Sequence, residues 1–245
     1  MVRVDSISRL SEDPERREGP IRVFGIGAGP LAPGLHSTSR LLLEFALEDA
    51  KASGCEIRQV DLAALRFHPC PDGEAQCSWP CRLSLLDPDD QLGDVYESLV
   101  HWADVVVIST ALEEGPALPG GLRRFIDRLR CIRHELDVEQ RLLIRNKVAA
   151  FVMCGPWHPT AGPAVELIGH FANLGFAVPP FPIAGCPPTS CLAPGAERLE
   201  RLLEVHPESI ANAEALVHRA VDLAARLSPR RHLEPAGSGV AAAGR

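Results

Sequence analysis

Two kinds of apolar pattern alternate along this chain. Short runs of mostly apolar residues, which predict buried β-strands, cover residues 21–27, 104–110 and 147–154. The run at 104–110 contains four consecutive β-branched residues, so we expect it to be the central strand of a sheet covered on both faces. Residues 55–62 alternate between polar and apolar positions, and residues 176–183 are interrupted by prolines, which cannot donate to a strand ladder. These two segments are predicted to lie at or near sheet edges.

Segments with apolar residues at helical spacing separate the predicted strands. They cover residues 41–52, 90–102, 122–135, 163–174 and 210–227. Strands that alternate with helices need crossover connections and produce a parallel sheet with helices on both faces. Five strands favour the flavodoxin-like order 2-1-3-4-5 over the six-stranded dinucleotide-binding order. We therefore expect a three-layer, doubly wound α/β domain over residues 20–228, a disordered leader at 1–19 and a flexible tail at 229–245.

Charge and composition narrow the kinds of partner that such a domain would bind. The 245 residues have a formal net charge of −7, and the sequence shows no basic face for a nucleic acid. No apolar run is long enough to span a membrane, and the charged N-terminus lacks the pattern of a secretory signal. The eight cysteines are spread along the chain, as is usual for reduced thiols in the cytosol. We expect a cytoplasmic protein that binds neither nucleic acid nor membrane.

The loop after the first predicted strand has the features of a phosphate-binding loop. Gly27 and Gly29 open it, and three consecutive hydroxyl residues lead into a helix: Ser37, Thr38 and Ser39. Free backbone amides at a helix start, the positive end of the helix dipole and these hydroxyls would form a neutral site for a phosphate monoester. The alternative is an ordinary loop in which Ser37 or Thr38 only caps the helix. The dinucleotide fingerprint is excluded because Ala32 occupies the position of its third glycine.

A longer match connects the central strand with its flanking helices. The string YESLVHWADVVVIST at 96–110, a Gly/Pro loop and LRRFIDRL at 122–129 resemble the NADPH-dependent FMN reductase and flavodoxin-like oxidoreductase family, and the resemblance extends over residues 21–184. It implies an FMN-binding enzyme that accepts hydride from NAD(P)H and passes electrons to a small acceptor such as a flavin or quinone. It also implies a homodimer or homotetramer.

The resemblance assigns site residues in three loops. By resemblance, the three hydroxyl residues bind the FMN phosphate, the loop after the central strand lines the isoalloxazine ring, and the loop after the fourth strand closes its far side. The ring-lining residues are Thr110, Ala111, Leu112, Glu113, Glu114 and Gly115, and the closing residues are Cys154, Gly155, Trp157 and His158. No catalytic side chain is assigned, because in this class the flavin performs the chemistry.

One departure from the family pattern favours one alternative function, and a second stays open because the fold alone does not fix function. Glu113 and Glu114 stand where relatives carry a stacking aromatic residue, and only Trp157 offers a replacement. The first alternative is therefore a flavin-free binding or regulatory protein of the same fold. The second is a phosphate-ester hydrolase or transferase, although the sequence has no nucleophile elbow or P-loop lysine for one.

Two further groups of residues receive a structural interpretation. Cys70, Cys77 and Cys81 lie where some relatives carry a four-cysteine iron–sulfur motif, but their spacing is loose and only His68 offers a fourth ligand. We expect buried thiols there rather than a metal site. Asp127–Arg128 in the FIDRL string is expected to form a structural ion pair or helix-end contact, because it lies away from the strand tips.

Overall fold

A computed structural model shows how these segments assemble. It describes residues 19–29, 36–71, 77–112, 117–155, 162–186, 192–193 and 196–228. The predicted disordered leader and the flexible tail lie outside the described residues, apart from Gly19 at the end of the leader.

A five-stranded parallel sheet forms the centre of the fold. Its strands are β1 (Arg22–Ala28), β3 (Glu56–Asp61), β4 (Val105–Ala111), β5 (Val148–Cys154) and β6 (Ile183–Ala184). The spatial order is β3-β1-β4-β5-β6, with every neighbouring pair parallel. When these five strands are counted in chain order, the order is the predicted 2-1-3-4-5. The β-branched strand β4 lies in the middle, as its composition predicts, and the flavodoxin-like fold class is confirmed.

Helices cover both faces of this sheet. They are α1 (Thr38–Ala52), α2 (Arg82–Leu86), α3 (Gly93–Glu97), α4 (Gly120–Arg128), α5 (Arg130–Asp137), α6 (Gly162–Leu174), α7 (Ala196–Val205) and α8 (Pro207–Leu227). A turn of 3₁₀ helix follows β3 at Leu62–Ala64, and a π-helical stretch, Ser98–Trp102, continues α3. No helix in the described ranges is long and apolar enough to cross a membrane.

The side chains of β4 show how the two faces are divided. Val105 and Val107 pack in one apolar cluster with α1 and α8, whereas Val106 and Ile108 pack in the other with α3, α4, α5 and α6. All four side chains are fully buried. Since alternate residues of a strand point to opposite faces, a continuous apolar run is what a sheet with two covered faces requires.

The single helix predicted over residues 122–135 is wrong, because the structure has two helices with a break at Leu129. The Arg128 carbonyl accepts a hydrogen bond from the Tyr96 hydroxyl at 2.9 Å and another from the Cys131 thiol at 3.4 Å. The Ile132 amide bonds instead to the Leu129 carbonyl at 3.0 Å. An α-helix would pair Ile132 with Arg128, so the side-chain donors replace the helical bond at this point.

The last predicted strand is much shorter than residues 176–183. Only a bridge between Val148 and Ala177 and the two-residue β6 pair with β5. The prolines between them cannot donate to the ladder, so only the edge position of this segment matches the prediction.

Five elements in the described part of the chain have no counterpart in the sequence-based prediction. They are the 3₁₀ turn, the short α2, the helix α7, and the two strands of an antiparallel ribbon, β2 (His36–Ser37) and β7 (Leu192–Ala193). The ribbon pairs segments more than 150 residues apart, and each of its strands has only two residues, so neither carries a detectable periodic pattern.

Candidate functional site

The three predicted hydroxyl residues come together at the start of α1. Ser37 is the N-cap residue, and its Oγ accepts a hydrogen bond from the Arg40 amide at 3.2 Å. The Oγ atoms of Ser37 and Ser39 lie 3.2 Å apart. Ser37, Thr38 and Ser39 are each at most 2% exposed. The hydroxyls therefore form an enclosed cluster, and the capping role considered for Ser37 is real.

Close packing of α1 on β1 sets the position of this cluster. A Cβ atom added at Gly25 would lie 2.5 Å from Leu47 Cδ1 and 3.5 Å from the methyl groups of Leu43, so α1 passes directly over Gly25. Ser39 precedes Leu43 by one helical turn, which places the start of α1 at the carboxyl end of β1. This is the edge of a parallel sheet where ligands bind in doubly wound folds.

The structure places Gly27 within β1 rather than in the loop, and only Gly29 follows the strand. A Cβ at Gly29 would lie 3.4 Å from Ser37 Oγ, so this glycine leaves space beside the hydroxyl cluster. A Cβ at Gly27 would meet no atom closer than 3.6 Å, so packing does not require glycine there. Gly25, which the sequence-based site did not include, is the glycine that α1 packs against.

Ser109 adds a hydroxyl that the sequence-based site also missed. It pairs with Gly27 in the sheet, and by strand alternation its side chain lies on the face of Val105 and Val107, which α1 covers. It is 1% exposed, and its Oγ has no hydrogen-bond partner within the described part of the chain. Because buried hydroxyls are normally paired, Ser109 is a candidate hydrogen-bond donor to a ligand at this edge of the sheet.

The sequence contained one signal for Ser109. Ser109 directly follows the β-branched run of the central strand and precedes the candidate residue Thr110. However, only the sheet register places it next to Gly27.

The predicted ring-side residues form a rim at the ends of β1, β4 and β5. Thr110 Oγ1 donates to the Ala28 carbonyl at 3.1 Å, and the Leu112 amide donates to the Cys154 carbonyl at 2.8 Å. Ala111 and Cys154 pair directly in the sheet. All of these residues are buried. The Thr110 hydroxyl is therefore occupied in joining two strands.

Gly155, which follows β5, completes this rim, because the end of the neighbouring strand β4 packs closely against it. A Cβ there would lie 2.7 Å from Leu112 Cβ and 2.9 Å from the Leu112 carbonyl oxygen. The remaining predicted residues of the ring side, Glu113, Glu114, Gly115, Trp157 and His158, lie outside the described residues.

The electrostatics at the start of α1 are balanced locally. Arg40 is the charged residue of the first helical turn, and its guanidinium forms ion pairs with Asp61 at 2.6 Å and with Glu44 at 3.0 Å. A cation held by two carboxylates contributes little net charge to the hydroxyl cluster. An anion bound there would rely on hydroxyls, backbone amides and the helix dipole, as the sequence predicts.

The cysteine segment belongs to a different part of the molecule. Cys81 packs in the apolar cluster on the face opposite α1, and the His68 ring faces Asp87 at 3.5 Å. Within the ranges that the structure describes, no group of three or more His, Cys, Asp or Glu side chains is arranged to hold a metal ion. Arg128 has the structural ion pair expected of it, but its partner is Asp90, at 2.5 Å, and not the neighbouring Asp127.

Comparisons with known proteins agree with this geometry. The sequence model of the NADPH-dependent FMN reductase family matches residues 21–185. A search of curated proteins finds no sequence match.

Three solved structures illustrate the similarity in fold. RosB, solved with the bound intermediate 8-demethyl-8-formylriboflavin-5'-phosphate, is 19% identical with a TM-score of 0.66, over 84% of this chain and 80% of RosB. A flavone reductase is 15% identical with a TM-score of 0.53, over 83% of this chain and 63% of that one. The FMN-dependent NADH-azoreductase of Bacillus anthracis, solved with FMN, is 16% identical with a TM-score of 0.50, over 85% and 99%.

Proposed function

Since this chain belongs to the NADPH-dependent FMN reductase family, we propose that it is an FMN-dependent oxidoreductase that takes hydride from NAD(P)H and passes electrons to a small acceptor. The family model covers the whole sheet and the loops at its carboxyl edge, where the hydroxyl cluster lies. The flavin ligands of RosB and of the azoreductase, both riboflavin 5'-phosphates, are consistent with a mononucleotide at this edge.

The observation that carries the proposal is the buried Ser109 hydroxyl, which has no hydrogen-bond partner among the described residues and lies on the sheet face that α1 covers. A phosphate monoester offers only acceptor oxygens at its periphery, so hydroxyl donors suit it. Ser39 and Ser109 would each donate to the phosphate, and Ser37 would do so while its own oxygen continues to cap the helix. The residues present therefore fit the phosphate end of FMN.

The rest of the chain would position and enclose the flavin. Bound FMN supplies the hydride-accepting and electron-transferring chemistry. The ends of β4 and β5, fixed to each other through Leu112, Cys154 and Gly155, would hold a planar group at a set distance from the phosphate site. The enclosure of the hydroxyl cluster excludes water, which strengthens each hydrogen bond to the phosphate.

The two glutamates of the ring loop bear on the reactivity of the site. Glu113 and Glu114 follow β4 after one intervening residue, Leu112, at the position that the resemblance assigns to the ring. Negative charge next to a flavin that becomes anionic on reduction would lower its reduction potential. We infer a reduced flavin that donates electrons readily, with Trp157 in the next loop as the stacking surface.

Titration with FMN and with riboflavin tests the phosphate assignment. We expect Ser39→Ala and Ser109→Ala each to weaken FMN binding about 10- to 100-fold, since a hydrogen bond to a charged group contributes about 1.5–3 kcal/mol. Riboflavin binding should stay unchanged, because riboflavin has no phosphate. Ser98→Ala is the matched control, as Ser98 is a buried serine in the π-helical stretch on the other face of the sheet.

The same titration separates the alternatives. If the wild-type protein does not bind FMN at millimolar concentration, this would contradict the proposed oxidoreductase function and favour a flavin-free protein of the same fold. FMN binding that none of the serine variants weakens would place the phosphate elsewhere. Oxidation of NADH or NADPH by the FMN-loaded protein, followed at 340 nm with a quinone present, then tests the proposed electron transfer.

A further inference from the structure

The β2–β7 ribbon joins a late segment of the chain to the hydroxyl cluster. It pairs His36 with Ala193 and Ser37 with Leu192 in antiparallel direction. Ser37 is at the same time the N-cap residue of α1 and one of the three hydroxyl residues at its start. The ribbon therefore ends on the proposed phosphate site itself.

The second strand of the ribbon belongs to a part of the chain that the family model does not match. The match ends at residue 185, whereas β7 and α7 follow it. Helix α7 contacts both strands of the ribbon and also α1. Leu203 of α7 is 1% exposed and packs in the same apolar cluster as Leu42 and Leu43 of α1. We call β7 and α7 together the clasp, because they hold β2 and α1 from outside the matched region.

The conformation of β2 depends on the clasp. Its two residues form a separate two-stranded sheet with β7, and within the described ranges they pair with no strand of the main sheet. Fixing the backbone of a residue costs conformational entropy, which the contacts of that residue must offset. For β2 the ribbon and α7 supply such contacts, so the clasp keeps Ser37 where it caps α1.

Protein atoms also cover the hydroxyl cluster. Ser37, Thr38 and Ser39 are each at most 2% exposed. A phosphate held by these hydroxyls would be enclosed with them, so its release requires a covering segment to move away. Strand β2 is part of that cover because it contains Ser37, and the clasp holds β2 in place.

We propose that the clasp keeps the phosphate site in its binding conformation, so that FMN stays bound between turnovers as a prosthetic group. This inference rests on the proposed function, because it concerns the same phosphate site. It adds a consequence for the substrate. If FMN does not leave, the electron acceptor is a second small molecule and not an FMN that binds, is reduced and departs.

The electron balance of such a turnover leaves the flavin unchanged. NAD(P)H gives up a hydride, which carries two electrons and one proton, and becomes NAD(P)⁺. The acceptor, for example a quinone, gains two electrons and two protons, of which the second proton comes from the solvent. FMN ends the cycle oxidised and still bound.

The rate of FMN release tests the role of the clasp. Protein loaded with FMN is desalted, and the FMN that then passes an ultrafilter is followed over time by its absorbance. Leu192→Pro combined with Ala193→Pro removes both backbone N–H groups of β7. We expect release about 10- to 100-fold faster than in the wild type, because the binding conformation is then populated only in part. Leu192→Met combined with Ala193→Ser keeps both amides and is the matched control.

Two further measurements separate a local effect from loss of the fold. Riboflavin has no phosphate, so its affinity should be the same in the double proline variant and in the wild type. In FMN-free protein, amide hydrogen exchange over residues 36–39 should be about tenfold faster or more in this variant, with exchange in β4 unchanged. If β4 also loses protection, Leu203→Ala decides, since it loosens α7 without altering β7. It should speed FMN release about threefold or more relative to Val205→Ala, which changes a residue of α7 that is 74% exposed.

The possible results distinguish this inference from the proposed function. FMN release that neither the double proline variant nor Leu203→Ala accelerates would overturn the inference. So would a wild-type protein that binds FMN but exchanges all of it within seconds, a result that would leave the oxidoreductase standing with FMN as its substrate. A wild-type protein that binds no FMN would contradict the proposed function, and this inference with it.

Discussion

Replacement of Arg128 by methionine should destabilise this protein far more than replacement of any exposed arginine. In the native chain the Arg128 guanidinium neutralises the buried Asp90 carboxylate and donates to the His68 carbonyl. Methionine retains much of the side-chain volume but removes every donor. Asp90 is then left as a buried carboxylate whose remaining donors are the Ser84 hydroxyl and the Leu92 amide.

The expected cost follows from what remains in the core. Removal of one partner of a buried ion pair costs about 3–5 kcal/mol, because an uncompensated charge stays in a medium of low polarity. That is a large part of the roughly 5–15 kcal/mol that stabilises an ordinary domain. Arg128→Met combined with Asp90→Asn should recover part of the loss, since the amide keeps an oxygen for Ser84 and Leu92 without carrying a charge.

Urea unfolding followed by far-UV circular dichroism measures this difference directly. Arg201→Met is the matched control, because Arg201 is 78% exposed and pairs only weakly with Glu197 at 3.9 Å. It should change the unfolding free energy by less than about 0.5 kcal/mol. An effect of Arg128→Met within about 1 kcal/mol of this control would refute the reasoning that the buried pair is electrostatically coupled.

Two further predictions concern Gly155, at the rim of the sheet, and the Cys81 thiol. Gly155→Ala should destabilise the protein by about 1–3 kcal/mol in the same urea assay, because the new Cβ would clash with Leu112. The control Gly169→Ala adds a Cβ where no atom lies within 4 Å in α6, so it should stabilise the protein by about 0.5–1 kcal/mol. Equal effects of the two variants would contradict the steric argument. Because the folded state lowers the pKa of Cys81, the unfolded chain binds more protons below the ordinary thiol pKa, so stability should rise between pH 6 and pH 8. Urea unfolding at these two pH values should show a smaller rise for Cys81→Ser than for the wild type, and equal slopes would contradict the lowered pKa.

The fold could be predicted from local patterns because those patterns are strong in this chain. The β-branched run of β4 has no amphipathic helical alternative, and its position at the centre of the sheet follows from full burial on both faces. Glycine-containing loops and segments of helical periodicity between the strands then predict that strands and helices alternate. Five parallel strands in this arrangement predict the strand order.

The features that could not be predicted depend on contacts between distant segments. The break at Leu129 arises because the Tyr96 hydroxyl, 32 residues away, takes the Arg128 carbonyl. The partner of Arg128 is Asp90, 38 residues away, and no local pattern favours it over the adjacent Asp127. Helix propensity and periodicity describe a segment by itself, so tertiary hydrogen bonds of this kind are invisible to them.

Two adjacent residues of β4 show the same contrast between what local sequence predicts and what depends on contacts with distant segments. Thr110 was predicted as a site residue, yet its hydroxyl donates a hydrogen bond to the Ala28 carbonyl and so joins β4 to β1. Ser109, one residue earlier and on the opposite face, was not predicted, yet its buried hydroxyl is unpaired within the described chain. An unpaired buried hydroxyl costs about 1–3 kcal/mol. If Ser109 only packed the core, alanine would avoid this cost, so the hydroxyl supports the proposal that a ligand at this edge of the sheet accepts its hydrogen bond.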